Sequence, residues 1–182
     1  MLAAIEKFMR PPHGMDLDFS QPKGAEALVP ADSISWEIFA NPISLYIGGI
    51  AAVFLELTEP SVGAGVSTYS NFKEDTFGRL HRTGYAAMMT VFAPRQDAEK
   101  MIARVVKMHN KVNGINAQGD YYFANDARLL AWVQATAIFG FTEAYSTYVR
   151  KLSKDEKDQA MREGQVSGKL YGAKDLPNNW RD

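Results

Sequence analysis

The chain has 182 residues, enough for one domain with a proper hydrophobic core. Its 20 Lys and Arg nearly cancel its 21 Asp and Glu, so nothing points to electrostatic capture of nucleic acid or of an anionic membrane surface. With no cysteine, disulfide frameworks, thiolate metal sites and Cys nucleophiles are all excluded.

Along the chain, residues 2–9 form a short amphipathic segment whose charges interrupt any secretory signal core. Pro11-Pro12-His13-Gly14 is turn-rich, and residues 15–30 read as irregular, punctuated by Pro22, Gly24 and Pro30. Residues 1–30 are thus an N-terminal helix and irregular arm, and residues 31–182 the helical domain. Asp32 or Ser33 caps a short helix containing Trp36, Ile38 and Phe39. Pro42 opens an apolar helix to about residue 57. Its apolar run over 43–55 is too short to cross a bilayer and reads as a buried core helix. The expectation is a cytoplasmic protein with no transmembrane segment. Gly48-Gly49 within that helix implies close approach of another backbone or of a flat ligand.

Pro60 starts a new segment with small residues at Gly63, Ala64 and Gly65. Asp75 or Thr76 caps a helix over about 77–91, and Pro94 begins another, acidic in its first turn, that runs to 112 before Gly114. Gln118-Gly119-Asp120 with Tyr121-Tyr122-Phe123 reads as a turn or small hairpin. Asn125-Asp126 caps a long helix over about 127–150, and Ser153 caps a polar one to about 170. Strand signals are almost absent, so the fold class is all-α, a single-domain helical bundle.

Only three histidines occur, His13, His81 and His109. His109 shares a helical stripe with Ala98, Met101, Ile102, Val105 and Val112. Two readings stand for it: a core histidine bonded to a carbonyl, or a haem or metal ligand, since an apolar pocket suits a neutral imidazole. Arg79, Thr83, Ala86, Ala87 and Thr90 share another face, a strip of small side chains with one cation at its end. That strip is either ordinary helix packing or room for a planar ligand whose carboxylates Arg79 pairs with. Met88 and Met89 are core filling or adaptable pocket lining. Glu56 and Glu59 read either as capping ahead of Pro60 or as a pocket base. Residues three before the histidines are Arg10, Gly78 and Val106, so the Glu-x-x-His pairs of a di-iron bundle are missing. Zinc-protease, nucleophile-elbow and P-loop motifs are missing too.

Several motifs in order carry a family resemblance. They are Ser33-Ile-Ser-Trp36, Leu55-Glu-Leu-Thr-Glu-Pro60, Gly63-Ala-Gly-Val-Ser-Thr-Tyr-Ser70 and Asn71-Phe-Lys-Glu-Asp75. Then follow Gly78-Arg-Leu-His-Arg-Thr83, Met108-His-Asn-Lys-Val-Asn-Gly114, Tyr122-Phe-Ala-Asn-Asp126 and Leu130-Ala-Trp-Val-Gln-Ala-Thr136. Over about residues 30–180 the chain resembles the MpaB / latex-clearing-protein family, haem-dependent oxygenases that include rubber oxygenases. The resemblance implies an all-α fold, a haem b cofactor and O2 as co-substrate. It makes His109 the proximal iron ligand and sets Arg79 and Thr83 beside the haem, with Arg82 just before the Thr; these three are the catalytic candidates. Trp132 joins His109, Arg79 and Thr83 as a cofactor-binding candidate. One protein ligand leaves the sixth position for O2.

By the same resemblance the substrate is a hydrophobic small molecule, isoprenoid or otherwise unsaturated. Many members carry His-Pro where this chain has Glu59-Pro60, and His at Gln134. The family usually continues past the Leu176 to Trp180 region, so the expectation is a truncated chain, a shorter variant, or one completed by a partner subunit, with a homo-oligomer as a further option. Two alternatives stand beside the oxygenase: a non-enzymatic haem-binding or sensor protein, and a helical subunit of a larger complex.

Overall fold

The computed structural model describes residues 10–13, 15, 17–70 and 74–181. The amphipathic segment expected over 2–9 lies outside them. Among the described residues there are seven helices and one two-stranded hairpin, so the fold is all-α.

Short polar residues and prolines set the helix starts. In α1 (Ile34–Phe39) Ser33 Oγ accepts from Trp36 N, which settles the cap on Ser33. Helix α2 (Pro42–Glu56) has Pro42 in its first turn and Asn41 as its cap. Helix α3 (Pro60–Tyr69) is capped by Glu59 and meets α2 at 108°. No single helix among the described residues is long and apolar enough to cross a membrane. Asp75 caps α4 (Thr76–Phe92), its carboxylate accepting from Gly78 N. Asp126 caps α6 (Ala127–Tyr148) by accepting from Arg128 N and Leu129 N. A full capping box of Ser153 and Glu156 opens α7 (Lys154–Tyr171), and Gly172 closes it in the left-handed region at φ 102°.

Helix α5 (Arg95–His109) stops three residues short of the predicted end. Beyond His109 the backbone leaves the helical ladder for a turn, Val112 N donating to His109 O, and then enters strand pairing. Strands β1 (Asn113–Ile115) and β2 (Tyr121–Phe123) pair antiparallel with Gly114 opposite Tyr122. Asn116 organises the connection by accepting from Gln118 N and Asp120 N while donating to Ser61 Oγ, which ties the hairpin to α3.

The dominant packing is α2 against α6. A Cβ added at Gly48 would stand 2.6 Å from Phe141 Cα and 2.9 Å from Gly140 O. A Cβ at Gly140 would stand 2.7 Å from Gly48 O. The two backbones therefore touch, so the expected close approach at Gly48 is another helix rather than a ligand. Leu45, Ala52 and Phe141 close the contact, and the core continues through Ile38, Tyr85, Met88, Met89, Met101 and Ile102. Met88 and Met89 are thus core filling. The irregular arm joins this core, with Leu28 buried and Phe19 stacked on Tyr85 at 5.4 Å.

At Gly48 the atoms in the way are main chain, so Gly48→Ala is expected to cost about 2–3 kcal/mol or more through overpacking. Gly65→Ala meets only ordinary contacts at 3.5 Å and beyond, and gains up to about 1 kcal/mol of helix propensity. Thermal unfolding of the two variants checks this: Tm falls in the first and holds or rises in the second.

Candidate functional site

His109 is the last residue of α5, half-buried, on the stripe whose upper members Ala98, Met101 and Ile102 are fully buried. Its Nδ1 is sealed from solvent and makes no hydrogen bond. The expected carbonyl partner is therefore not there for that nitrogen. Burial pushes the imidazole pKa below its usual value, since the charged form is desolvated; the neighbouring Asn125 side chain works in the opposite, smaller direction. A neutral imidazole is the form that can ligate a metal.

Asn125 reaches this place from the end of the hairpin. Its Nδ2 donates to Val106 O at 3.0 Å and to Asn110 Oδ1 at 2.8 Å, across from the last turn of α5. Its Oδ1, like His109 Nδ1, is buried without a partner.

A second polar centre lies between α2 and α4. Glu56 ends α2, and burial pushes its carboxyl up to about 7, against the opposing pull of Arg79. Arg79 is half-buried on α4; desolvation lowers its pKa and Glu56 raises it. Near neutral pH the Glu56 carboxyl is only partly ionised. Glu59, by contrast, accepts from Arg128 at 3.0 Å and caps α3, which makes it structural. The pair read together in the sequence thus separates into one structural and one functional candidate.

Arg82 is exposed and paired with the α4 cap Asp75 at 3.2 Å. Thr83 is exposed on the next position. Trp132 lies on α6 with 39 % of its surface exposed. Gln134 faces α7, donating to Gly164 O at 2.8 Å. His81 Nε2 donates to Arg10 O, tying α4 to the N-terminal arm. The structure brings Arg79 to Glu56 and His109 to Asn125, and leaves Arg82 and Thr83 at the surface. In the sequence Asn125 stands within the Tyr122–Asp126 motif and as a cap beside Asp126, with nothing that links it to His109.

A cavity of about 40 Å3, lined in part by Ser35, Thr90, Gln134 and Glu163, lies between α1, α4, α6 and α7. It has room for a few waters at most, and neither His109 nor Arg79 lines it. Among the described residues no three His, Cys, Asp or Glu come together to hold a bare metal ion. A lone desolvated imidazole is instead the donor set that fits a haem, whose macrocycle brings four nitrogens of its own.

The family model described as "ER-bound oxygenase mpaB/B'/Rubber oxygenase, catalytic domain" matches residues 36–182, and the chain belongs to that family. The family is one of oxygenases, enzymes that use O2 with a metal or haem centre. No curated protein and no solved structure matches the chain.

The Glu56 carboxyl carries a pH signature. A carboxyl raised from 4.5 to about 7 adds stability that is complete below pH 4.5 and lost as pH rises through 7. Glu56→Gln, neutral throughout, is expected to gain on the wild type between pH 5 and 8.5, by at most about 3 kcal/mol. A Tm difference that stays constant over this range would refute the assignment.

Proposed function

We propose that the protein is a haem b-dependent oxygenase acting on a hydrophobic, isoprenoid or otherwise unsaturated small molecule. The observation that carries this reading is the lone, desolvated His109 imidazole in a chain whose oxygenase family match covers residues 36–182. His109 would hold the iron and Arg79 would pair with a haem carboxylate, as a guanidinium does well. Bound haem supplies the iron centre that activates O2, chemistry that belongs to the cofactor.

The chain's own residues do the rest. Burial pushes the His109 imidazole toward its neutral form, the one able to donate a lone pair. Glu56 can hold or release a proton near neutral pH, which suits a group that manages protons beside an oxidation. Arg82 and Thr83 lie one turn along α4 from Arg79 and would shape the rim of the site. Ile43, Ile47 and Phe54 present an exposed apolar face on α2, and Phe77 is 75 % exposed at the start of α4. Such surface suits a hydrocarbon substrate.

Protein produced with haem supplementation is expected to show a Soret band that His109→Ala abolishes or displaces. Arg79→Leu is expected to weaken haem binding about tenfold, the loss of one charge-assisted contact. Incubation with polyisoprene oligomers or terpenoid chains under O2 and reductant, followed by mass spectrometry, is expected to yield oxygenated products. A colourless wild-type preparation would overturn the cofactor. Haem uptake with no product across that panel would favour the binding or sensor protein.

A further inference from the structure

Two buried polar atoms stand without partners at one place: His109 Nδ1 and Asn125 Oδ1. Orphans of this kind are uncommon inside proteins, because each one forfeits a hydrogen bond made in water. These two belong to neighbouring side chains: the Asn125 amide is held by Val106 O and Asn110 Oδ1, three residues before His109 and one after it.

The amide's orientation is determined by what it faces. One partner of Asn125 Nδ2 is the Val106 carbonyl at 3.0 Å, and a carbonyl oxygen can only accept. The atom beside it must therefore be the NH2 group. Its second partner, Asn110 Oδ1 at 2.8 Å, uses the same group again. The acceptor end of the amide is left pointing away from both, buried and unused. An imidazole nitrogen that engages this acceptor must carry the proton. With the proton on Nδ1, the lone pair sits on Nε2.

We infer that Asn125 is a positioning residue for His109: its Oδ1 accepts the Nδ1 proton, fixing the ring and leaving Nε2 as the ligating nitrogen. The hydrogen bond itself belongs to the protein alone; its use in holding iron rests on the haem reading above. The physical benefit is the usual one for a ligating histidine, whose second nitrogen donates to an acceptor that holds its tautomer and strengthens its donation to the metal. Here the acceptor is neutral, so the imidazole keeps a moderate basicity rather than the stronger one a carboxylate would impose. The bond also closes a bracket. Asn125 Nδ2 grips the last turn of α5 through Val106 and Asn110, and its Oδ1 would grip the ring that the same turn presents. The hairpin and the end of α5 thus hold His109 from two sides.

The test begins with the full-length protein free of haem, labelled with 15N, in which only three histidine rings must be told apart. Long-range 1H–15N correlation at pH 8 is expected to show His109 protonated at Nδ1 and bare at Nε2. The Nε2-protonated tautomer in the wild type would overturn the inference, and that measurement needs no variant to fold. Asn125→Leu is expected to shift His109 toward the Nε2-protonated form while leaving His81 unchanged, and an unaltered His109 tautomer would likewise overturn the inference.

In haem-loaded protein, Asn125→Leu is expected to weaken haem affinity about 10–100-fold and to lower the iron–histidine stretching frequency. Asn125→Asp keeps an acceptor at Oδ1, now anionic, and is expected to raise that frequency, at a cost in stability because its second oxygen is set against Val106 O. A stretch indifferent to both changes would overturn the positioning role. Failure of the wild type to bind haem, with the Nδ1 tautomer present, would instead remove the haem reading and leave the hydrogen bond standing.

Discussion

The contact between Gly48 of α2 and Gly140 of α6 is the constraint on which the rest of the arrangement depends. Helix backbones pack this closely only where neither carries a side chain at the crossing. Once α2 is seated there, its buried stripe is Leu45, Gly48 and Ala52, and its opposite stripe, Ile43, Ile47 and Phe54, faces outward. The same seating carries Glu56, at the helix end, to the flank of α4, where burial raises its pKa and Arg79 opposes it. Leu80 on α4 comes within contact range of Gly49, which brings the adjoining turn of α4 to α2. A helix crossing thus positions the site's cation and carboxyl.

The imidazole depends on a different device. α5 ends at His109 because the chain must turn into the hairpin, and the hairpin returns through Ala124 N to Val112 O before Asp126 starts α6. That return sets Asn125 against the last turn of α5. The hairpin is itself held to α3 through Asn116 and Ser61, and Tyr69 donates to Asn113 O at 2.8 Å. Two strands of three residues would be marginal alone. Here they work as a brace between α3, α5 and α6.

Much of this was legible in the chain. The all-α class follows from apolar periodicity, and caps at Ser33, Asp75, Asp126 and Ser153 fall where short polar residues precede periodic runs. His109 stands out because histidines are scarce and this one sits on an apolar stripe. Helix ends were harder to read. α5 reads to 112 because Val112 continues its stripe, yet strand pairing outcompetes the last turn. α6 stops at Tyr148 because Val149 N and Arg150 N both turn back to Tyr145 O, while the Arg150 side chain crosses to Glu37 on α1. Neither effect is local, so neither is written in periodicity.

What the sequence determined by itself are properties that depend on neighbours three or four residues away: which segments coil, where they start, and which faces are apolar. The order of its motifs also carries the family. Tertiary structure alone decided which polar residues meet. Glu56 and Glu59 are three apart, yet one goes to a desolvated flank of Arg79 and the other to a cap and Arg128. Asn125 lies 16 positions from His109 and acquires its meaning only when the hairpin folds it back. The physical reason is that desolvation and hydrogen-bond geometry are set by what surrounds a group in space, and spacing along a helix says nothing of what another element will bring there.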